Sequence, residues 1–460
     1  MPELTLDRVA HGGECVGRLN KHVAFVTLGL PGERVKIELT ARRARYVRGR
    51  VVKDLSPSPE RVSAPCPIFG ICGGCHWQHA TYAAQLRFKT DVLREHLRRL
   101  GRQPGFEPEP AIPSPQEWRY RNTVQLVPAS AGQATNPGPD QRTGRGATRG
   151  EEASRLLCFQ QAHSHDLVPV EHCSTSDPLI NRVLHELPWH TLDGGTWAAL
   201  DHVLVRVIPG EAAQVTLAAA GRRVDPNSVR RFAVRAAGAM PELRGVLVAP
   251  TRQAQPRVIW GQPALRYSFA GHVLAVPAGA FVQVNIGAAE RLLDVLLDWL
   301  EVGDADDVLD AYAGAGTFTL PLARRARSVV AVEADAVAAG AGARNAALNA
   351  IGNVLFRLAT VESALPLLRR TVGRIDIAVL DPPRGGCSAA ALTGIAGLQP
   401  RRIAYVSCEP STLARDVAAL AGLGYRLVKA RVVDFFPQTY HLESLALFEP
   451  ASWPATSGGV

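Results

Sequence analysis

Asp307-Val308-Leu309-Asp310-Ala311-Tyr312-Ala313-Gly314-Ala315-Gly316-Thr317-Phe318 is the stretch that decides the fold. Its first half reads as a short strand. Its second half is a turn of small residues that opens a helix. Outward from it, apolar runs and amphipathic segments alternate. Ala288 to Leu300 precedes it as a helix. Strand-like runs follow at 329–333, 354–356, 375–381 and 402–407, with helices over 336–349, 361–370, 388–397 and 411–422 between and after them. Two late β runs, 425–435 and 443–448, close the pattern. The alternation predicts a doubly wound, Rossmann-like α/β domain.

Ligands bind such sheets at the carboxyl ends of the strands, where glycines admit close approach to the backbone. Gly314 and Gly316 lie there, but the third glycine of the dinucleotide fingerprint is missing. A nucleoside ligand without a pyrophosphate, such as S-adenosylmethionine, therefore suits the turn better than NAD; a plain structural turn or another nucleotide is the alternative. Glu333 ends the next strand, where an acid commonly binds a ribose hydroxyl. Asp381-Pro382-Pro383-Arg384-Gly385-Gly386 leaves another strand at the same edge. Two cysteines follow strands here. Cys408, in Ser407-Cys408-Glu409-Pro410, sits just before a helix, where the dipole is expected to lower a thiol pKa. Cys387 lies in a Gly-rich loop and reads as a small buried hydrophobe.

The first sixty residues read as a short all-β module, with eight Lys/Arg against two Glu between Glu33 and Lys53. Either a nucleic-acid face or a solvated edge explains that charge. Residues 56–65 look like a proline-rich linker. Then comes Cys66-x5-Cys72-x2-Cys75, with Gly73-Gly74 permitting a tight wrap. Three thiols within ten residues can face one metal centre, either zinc or an iron–sulfur cluster. Cys173 is the candidate fourth ligand, with Cys158 its competitor and His76 or His79 possible for zinc. Residues 82–100 have helical spacing, 129–153 read as an exposed loop insertion, and 156–280 resume β runs. Trp118-Arg119-Tyr120-Arg121-Asn122 suits phosphate contact and base stacking, or simple burial of Tyr120.

Composition bounds these readings. A 460-residue chain with 47% hydrophobic and 20% charged residues is a folded multidomain protein. No apolar run approaches the roughly 20 residues of a membrane helix, and the N-terminus lacks a signal-peptide pattern, so a cytoplasmic protein is expected. Eight cysteines are too few for a disulfide scaffold. The net charge of +9 invites a polyanionic partner.

Ser-Cys-Glu-Pro-Ser-Thr-Leu-Ala-Arg-Asp (407–416), His-Leu-Glu-Ser (441–444) and Phe-Val-Gln-Val-Asn (281–285) together resemble the RNA uracil-C5 methyltransferase family, in particular its 23S ribosomal RNA branch. The resemblance implies three parts. They are a TRAM-like, OB-like RNA-binding β-barrel over 1–60, a central β-rich iron–sulfur domain over 61–280, and an S-adenosylmethionine-dependent methyltransferase domain over 281–453. It implies Cys408 as nucleophile and Glu443 as base, with cofactor contacts at Gln283, Tyr312, Thr317, Glu333, Thr360 and Asp381. It also implies a [4Fe-4S] cluster on Cys66, Cys72, Cys75 and Cys173. The expected product is 5-methyluridine in 23S ribosomal RNA, made by a monomer without membrane or DNA partners. Transfer RNA is the second substrate, and a non-catalytic, metal-stabilised RNA-binding protein is the rival of a different class.

Overall fold

The computed structural model describes residues 1–130, 155–162, 164–372 and 374–452. Apart from Ala129 and Ser130, the expected insertion at 129–153 lies outside them. Five strands close a barrel: β1 (Glu3–Val9), β2 (Cys15–Leu19), β3 (His22–Thr27), β4 (Arg34–Arg42) and β5 (Tyr46–Ser56), in the order β1-β2-β3-β5-β4. Leu4, Leu6, Ala24, Val26, Val35, Ile37 and Val47 fill its interior. Alternation of in and out along each strand leaves Arg42, Arg43, Arg45, Arg50 and Lys53 exposed around β4 and β5. The presumed linker is pinned rather than free. Arg61 donates to the buried Glu33 carboxylate at 2.6 and 2.7 Å, and its backbone bridges Ala80.

Helix α1 (Tyr82–Arg99) and strand β6 (Glu109–Ile112) follow. A seven-stranded sheet comes next: β7 (Thr123–Ser130), β8 (Arg155–Gln160), β9 (Leu167–Pro169), β10 (Leu200–Ile208), β11 (Ala212–Ala219), β12 (Leu243–Ala249) and β13 (Arg257–Gly261). Helices α2 (Pro178–Glu186), α3 (Gly194–Ala199) and α4 (Pro226–Ala239) belong to the same region. Ile180, Val183, Phe232 and Ala236 from α2 and α4 pack on the sheet's apolar side chains. A hairpin, β14 (Ala264–Phe269) with β15 (His272–Pro277), leads to α5 (Ile286–Leu300).

The α/β layer then runs β16 (Asp307–Ala311), α6 (Thr319–Ala323), β17 (Ser328–Glu333), α7 (Ala336–Leu348), β18 (Val354–Leu358), α8 (Val361–Thr371), β19 (Ile377–Leu380), α9 (Ala389–Gly397), β20 (Arg402–Ser407), α10 (Pro410–Gly422), β21 (Tyr425–Val433) and β22 (Glu443–Pro450). The sheet order is β18-β17-β16-β19-β20-β22-β21-β6, parallel from β18 to β20, with β22 antiparallel to both of its neighbours. β16, β17, β19 and β20 are almost wholly buried Val, Ile, Leu and Ala, as strands covered on both faces must be.

Packing divides the described chain into two compact units, each discontinuous in sequence. One comprises Met1–Gln85, Gln116–Leu265 and Pro437–Tyr440; the other comprises Leu86–Pro115, Arg266–Phe436 and His441–Val460. In the second unit, Val92, Leu93 and Leu97 of α1 join Leu309, Val330, Leu380, Ile403 and Val432 in one core. Lys89, fully buried, donates to Asp434 at 2.6 Å and to the Phe436 carbonyl at 2.9 Å. Burial pushes its pKa down while Asp434 opposes that shift.

Candidate active site

Strand register sets the site. Ala311 pairs with Val332 on one side and Leu380 on the other, and Leu380 pairs with Tyr405. The next residues along, Glu333, Tyr312 and Asp381, therefore stand abreast at the carboxyl edge of the sheet. The chain winds outward in opposite directions from β16, so this is the crevice where ligands bind in doubly wound sheets. On the next strands, Ser407 pairs with Ser444 in antiparallel register. One step beyond, Cys408 faces Glu443. Opposed residues in such a ladder have Cβ atoms about 4.5–5.5 Å apart.

The turn after β16 is shaped for a ligand. Tyr312, Gly314 and Gly316 all have positive φ, at 65°, 57° and 92°. A Cβ added at Gly314 would meet no atom within 4 Å, so the space above the turn is open. Glu333 accepts the N–H of Gly314 at 2.8 Å and that of Asp335 at 2.7 Å, which fixes its carboxylate beside the turn. Beneath it, buried Asp310 accepts the Thr319 hydroxyl at 2.5 Å, while its Oδ1 has no hydrogen-bond partner among the described residues. Burial, with Glu333 nearby, pushes Asp310 up to about 7. Thr317 is half-buried in the turn. Thr360 is exposed and caps α8, accepting the Ser363 N–H. Gln283 is half-buried two residues before Asn285. The Asn285 side chain caps α5 and donates to Ser114 and to the Phe435 carbonyl. Neighbouring Phe281 is 70% exposed.

At the second centre, burial pushes the Cys408 thiol up to about 11; Glu443 and Asp381 add to the rise, and Arg384 opposes it. This overturns the expected dipole-lowered thiol. The N-cap of α10 is Glu409, whose own carboxylate takes the Ser411 N–H, so the helix end is already satisfied by an anion. Glu443 is buried, and burial raises its pKa well above the usual carboxylate range, with Asp381 adding and Arg384 opposing. Burial also lifts Asp381 to about 7. Burial thus favours the protonated form of both groups, and Arg384 acts against that in each. Arg384 and Asp310 stand within motifs visible in the sequence, although neither residue type announces a role there. The signal was present, since both flank a strand end at the ligand edge.

The cysteines form a second cluster, in the other unit. Cys66, Cys72, Cys75 and Cys173 line one cavity together with Arg121 and Cys158. Burial raises Cys72 to about 11 and Cys75 to about 12, and also raises Cys66; the nearby Cys173 thiol pushes each of the three further. Cys158 rises through burial alone. All five cysteines line the cavity, and it is Cys173 rather than Cys158 whose charge acts on the three sequence neighbours. All four are free thiols. Among the described residues no three His, Cys, Asp or Glu side chains are drawn together tightly enough to hold one metal ion. Tyr120 is buried and donates to the Pro437 carbonyl at 2.9 Å, so burial, not base stacking, is its use. Arg119 is exposed, with φ of 59°.

Comparison with known proteins adds to this geometry. The family model described as tRNA (Uracil-5-)-methyltransferase matches residues 272–450, and that of the TRAM domain matches residues 3–52. A relative from Yersinia enterocolitica, named 23S rRNA (uracil(1939)-C(5))-methyltransferase RlmD, is 35% identical over 97% of this chain and 94% of its own. One of the same name from Alkalilimnicola ehrlichii is 34% identical over 97% of this chain and 96% of its own. Among solved structures, the tRNA (uracil-54, C5)-methyltransferase of Pyrococcus abyssi, in complex with S-adenosyl-L-homocysteine, superposes with a TM-score of 0.70. It is 21% identical over 97% of this chain and 100% of that one, and so speaks for the fold alone.

Proposed function

The chain belongs to the RNA (uracil-5-)-methyltransferase family, and from that premise we propose that it methylates C5 of a uridine in 23S ribosomal RNA. The observation that carries the chemistry is the register that sets Cys408 opposite Glu443 beside the ligand edge. Uracil C5 is a weak nucleophile until a nucleophile adds at C6. In this reading the Cys408 sulfur adds to C6. Glu443, as carboxylate, then removes the C5 proton once C5 is methylated, and the thiolate leaves. S-adenosylmethionine, when bound, supplies the electrophilic methyl group. Glu333 would hold its ribose, and Gln283, Tyr312, Thr317, Thr360 and Asp381 would line its pocket. The open space over Gly314 and the unpartnered Asp310 oxygen suit a polar ligand there.

We read the cysteine cavity as the seat of a [4Fe-4S] cluster on Cys66, Cys72, Cys75 and Cys173. Three buried thiols, each acted on by Cys173, favour a bound cation, and a cluster spreads its ligands more widely than the roughly 3.8 Å between thiolates on one zinc ion. Its part is to tie 66–75 to 173 within the RNA-binding portion, since methyl transfer is redox-neutral.

The test is methyl transfer from labelled S-adenosylmethionine to unmodified 23S, 16S and transfer RNA in parallel, with nucleoside mass spectrometry. 5-Methyluridine in 23S RNA alone is the expected result, and product in transfer RNA alone would overturn the substrate. Cys408→Ala should abolish product, and Glu443→Gln should accumulate a covalent protein–RNA adduct. Turnover by either variant would remove that residue from its role.

A further inference from the structure

The loop that leaves β19 carries Asp381 and Arg384, both of which act on Cys408 and Glu443. Residues 383–385 are exposed, and side-chain packing does little to fix them. What fixes the loop is a row of side chains on α10, the helix that begins just behind Cys408. We propose that Arg415 and Asp416 are positioning residues that lock the Asp381–Cys387 loop against the nucleophile helix. Neither touches the reacting atoms; they act through the backbone of the loop.

Arg415 donates to the carbonyls of Gly385 at 2.9 Å and Cys387 at 3.0 Å. Its guanidinium is itself held by Asp416, with Nε to Oδ1 at 2.8 Å. The other oxygen of Asp416 accepts the Cys387 N–H at 2.8 Å and the Tyr405 hydroxyl at 2.6 Å. Thr412 Oγ1 lies 3.1 Å from the Arg384 carbonyl. Asp416 is 1% exposed, so its charge is kept in place by donors from three different segments. Gly386 is the seat of the clamp. Its φ is +72°, and an added Cβ would come within 2.6 Å of both Arg415 Nη2 and Asp416 Oδ2.

The lock reaches the cofactor turn as well. The Cys387 N–H also donates to the Tyr405 hydroxyl at 3.2 Å, and Tyr312 packs against the core that holds Cys387 and Tyr405. Tyr312 begins the turn after β16 in a left-handed conformation that a non-glycine side chain adopts at some cost. Hydrogen bonds therefore join the loop carrying Arg384 to the helix behind the nucleophile, and packing carries the contact on to the turn expected to hold the methyl donor. The consequence is a fixed spacing between donor and thiol, a distance to which transfer rates are acutely sensitive.

This rests on the reading of Cys408 as nucleophile, and the experiment separates the two. Single-turnover methyl transfer to unmodified 23S RNA is measured for wild type, Arg415→Ala, Arg415→Lys and Asp416→Asn, with adduct formation on a 5-fluorouridine version of the same RNA. Arg415 is half-exposed, so its loss leaves the fold standing. Arg415→Ala should slow transfer and adduct formation about 10- to 100-fold at saturating RNA, with the KM for RNA within about twofold. Lysine cannot bridge two carbonyls and a carboxylate, so Arg415→Lys should stay near the alanine value. Asp416→Asn should fall in the same direction. A raised KM with unchanged saturated rate would make Arg415 an RNA contact and overturn the clamp, as would full activity in the lysine variant. If wild type itself forms no adduct and no product, the nucleophile reading fails, and the clamp's role with it.

Discussion

At the scale of single residues, the active centre is defined by burial acting against one cation. A thiol lifted to about 11 holds its proton near neutrality, and burial favours the protonated form of the neighbouring carboxyl group. Both must lose a proton to act as nucleophile and base. Single-turnover methyl transfer should therefore rise with pH between about 6 and 9, by close to tenfold per unit where one proton limits the rate. Arg384→Gln removes the charge that lowers both groups, so its rise should be displaced to higher pH; a flat profile in wild type would contradict the assignment. Cys408 and Glu443 are singled out in sequence by motifs that resemble the family's, and the strand register brings those two strand ends together. The pKa direction of Cys408 was not. Proximity to a helix N-terminus is visible in sequence, but the fact that Glu409 already caps that helix is visible only in space.

At the scale of elements, the strands and helices of the α/β layer follow their sequence patterns within a few residues, because buried parallel strands are unbroken apolar runs and small-residue turns end them. The cysteine segment is less readable. Cys66, Cys72 and Cys75 announce themselves by spacing, but the distant partner is a matter of how β8, β9 and the segment after them fold back. The thiols' mutual effects favour Cys173. Anaerobically purified Cys173→Ser should lose most of its iron and visible absorption, whereas Cys158→Ser should retain both; equal loss in the two variants would leave the fourth ligand unassigned to Cys173. The proline-rich 56–65 stretch shows the opposite failure of local reading. Its composition suggests a free linker, yet Arg61 anchors it on a fully buried glutamate.

At the scale of the whole molecule, the excess positive charge is not spread evenly. Around β4 and β5 of the barrel, Arg34 and Lys36 share the Glu3 carboxylate, and Arg48 pairs with Glu14. Arg42, Arg43, Arg45, Arg50 and Lys53 stay exposed on the TRAM-like face. If these grip RNA phosphates, replacing Arg42, Arg43 and Arg45 by Gln should lower the slope of log affinity against log salt by about 2. Arg34→Gln should leave that slope unchanged. A triple variant with the wild-type slope would return this face to the status of a solvated edge. What sequence patterning could not show at this scale is that the chain leaves and re-enters each unit. Nothing in the helical spacing of 82–100 says that Val92, Leu93 and Leu97 pack beneath strands more than two hundred residues later.

That interleaving bears on how the protein is made. The strand Glu109–Ile112 borders a sheet whose next strand is Tyr425–Val433, and Pro437–Tyr440 completes the unit that contains the chain's beginning. The Gln438 carbonyl accepts the N–H groups of His76 and Trp77, and the Gln85 side chain donates to the Gln438 amide oxygen. During synthesis the first unit emerges early but waits for residues 437–440 to leave the ribosome before its final hydrogen bonds can close. A nascent chain arrested before residue 437 should thus remain protease-sensitive in both halves, and no single cut can separate two complete folding units.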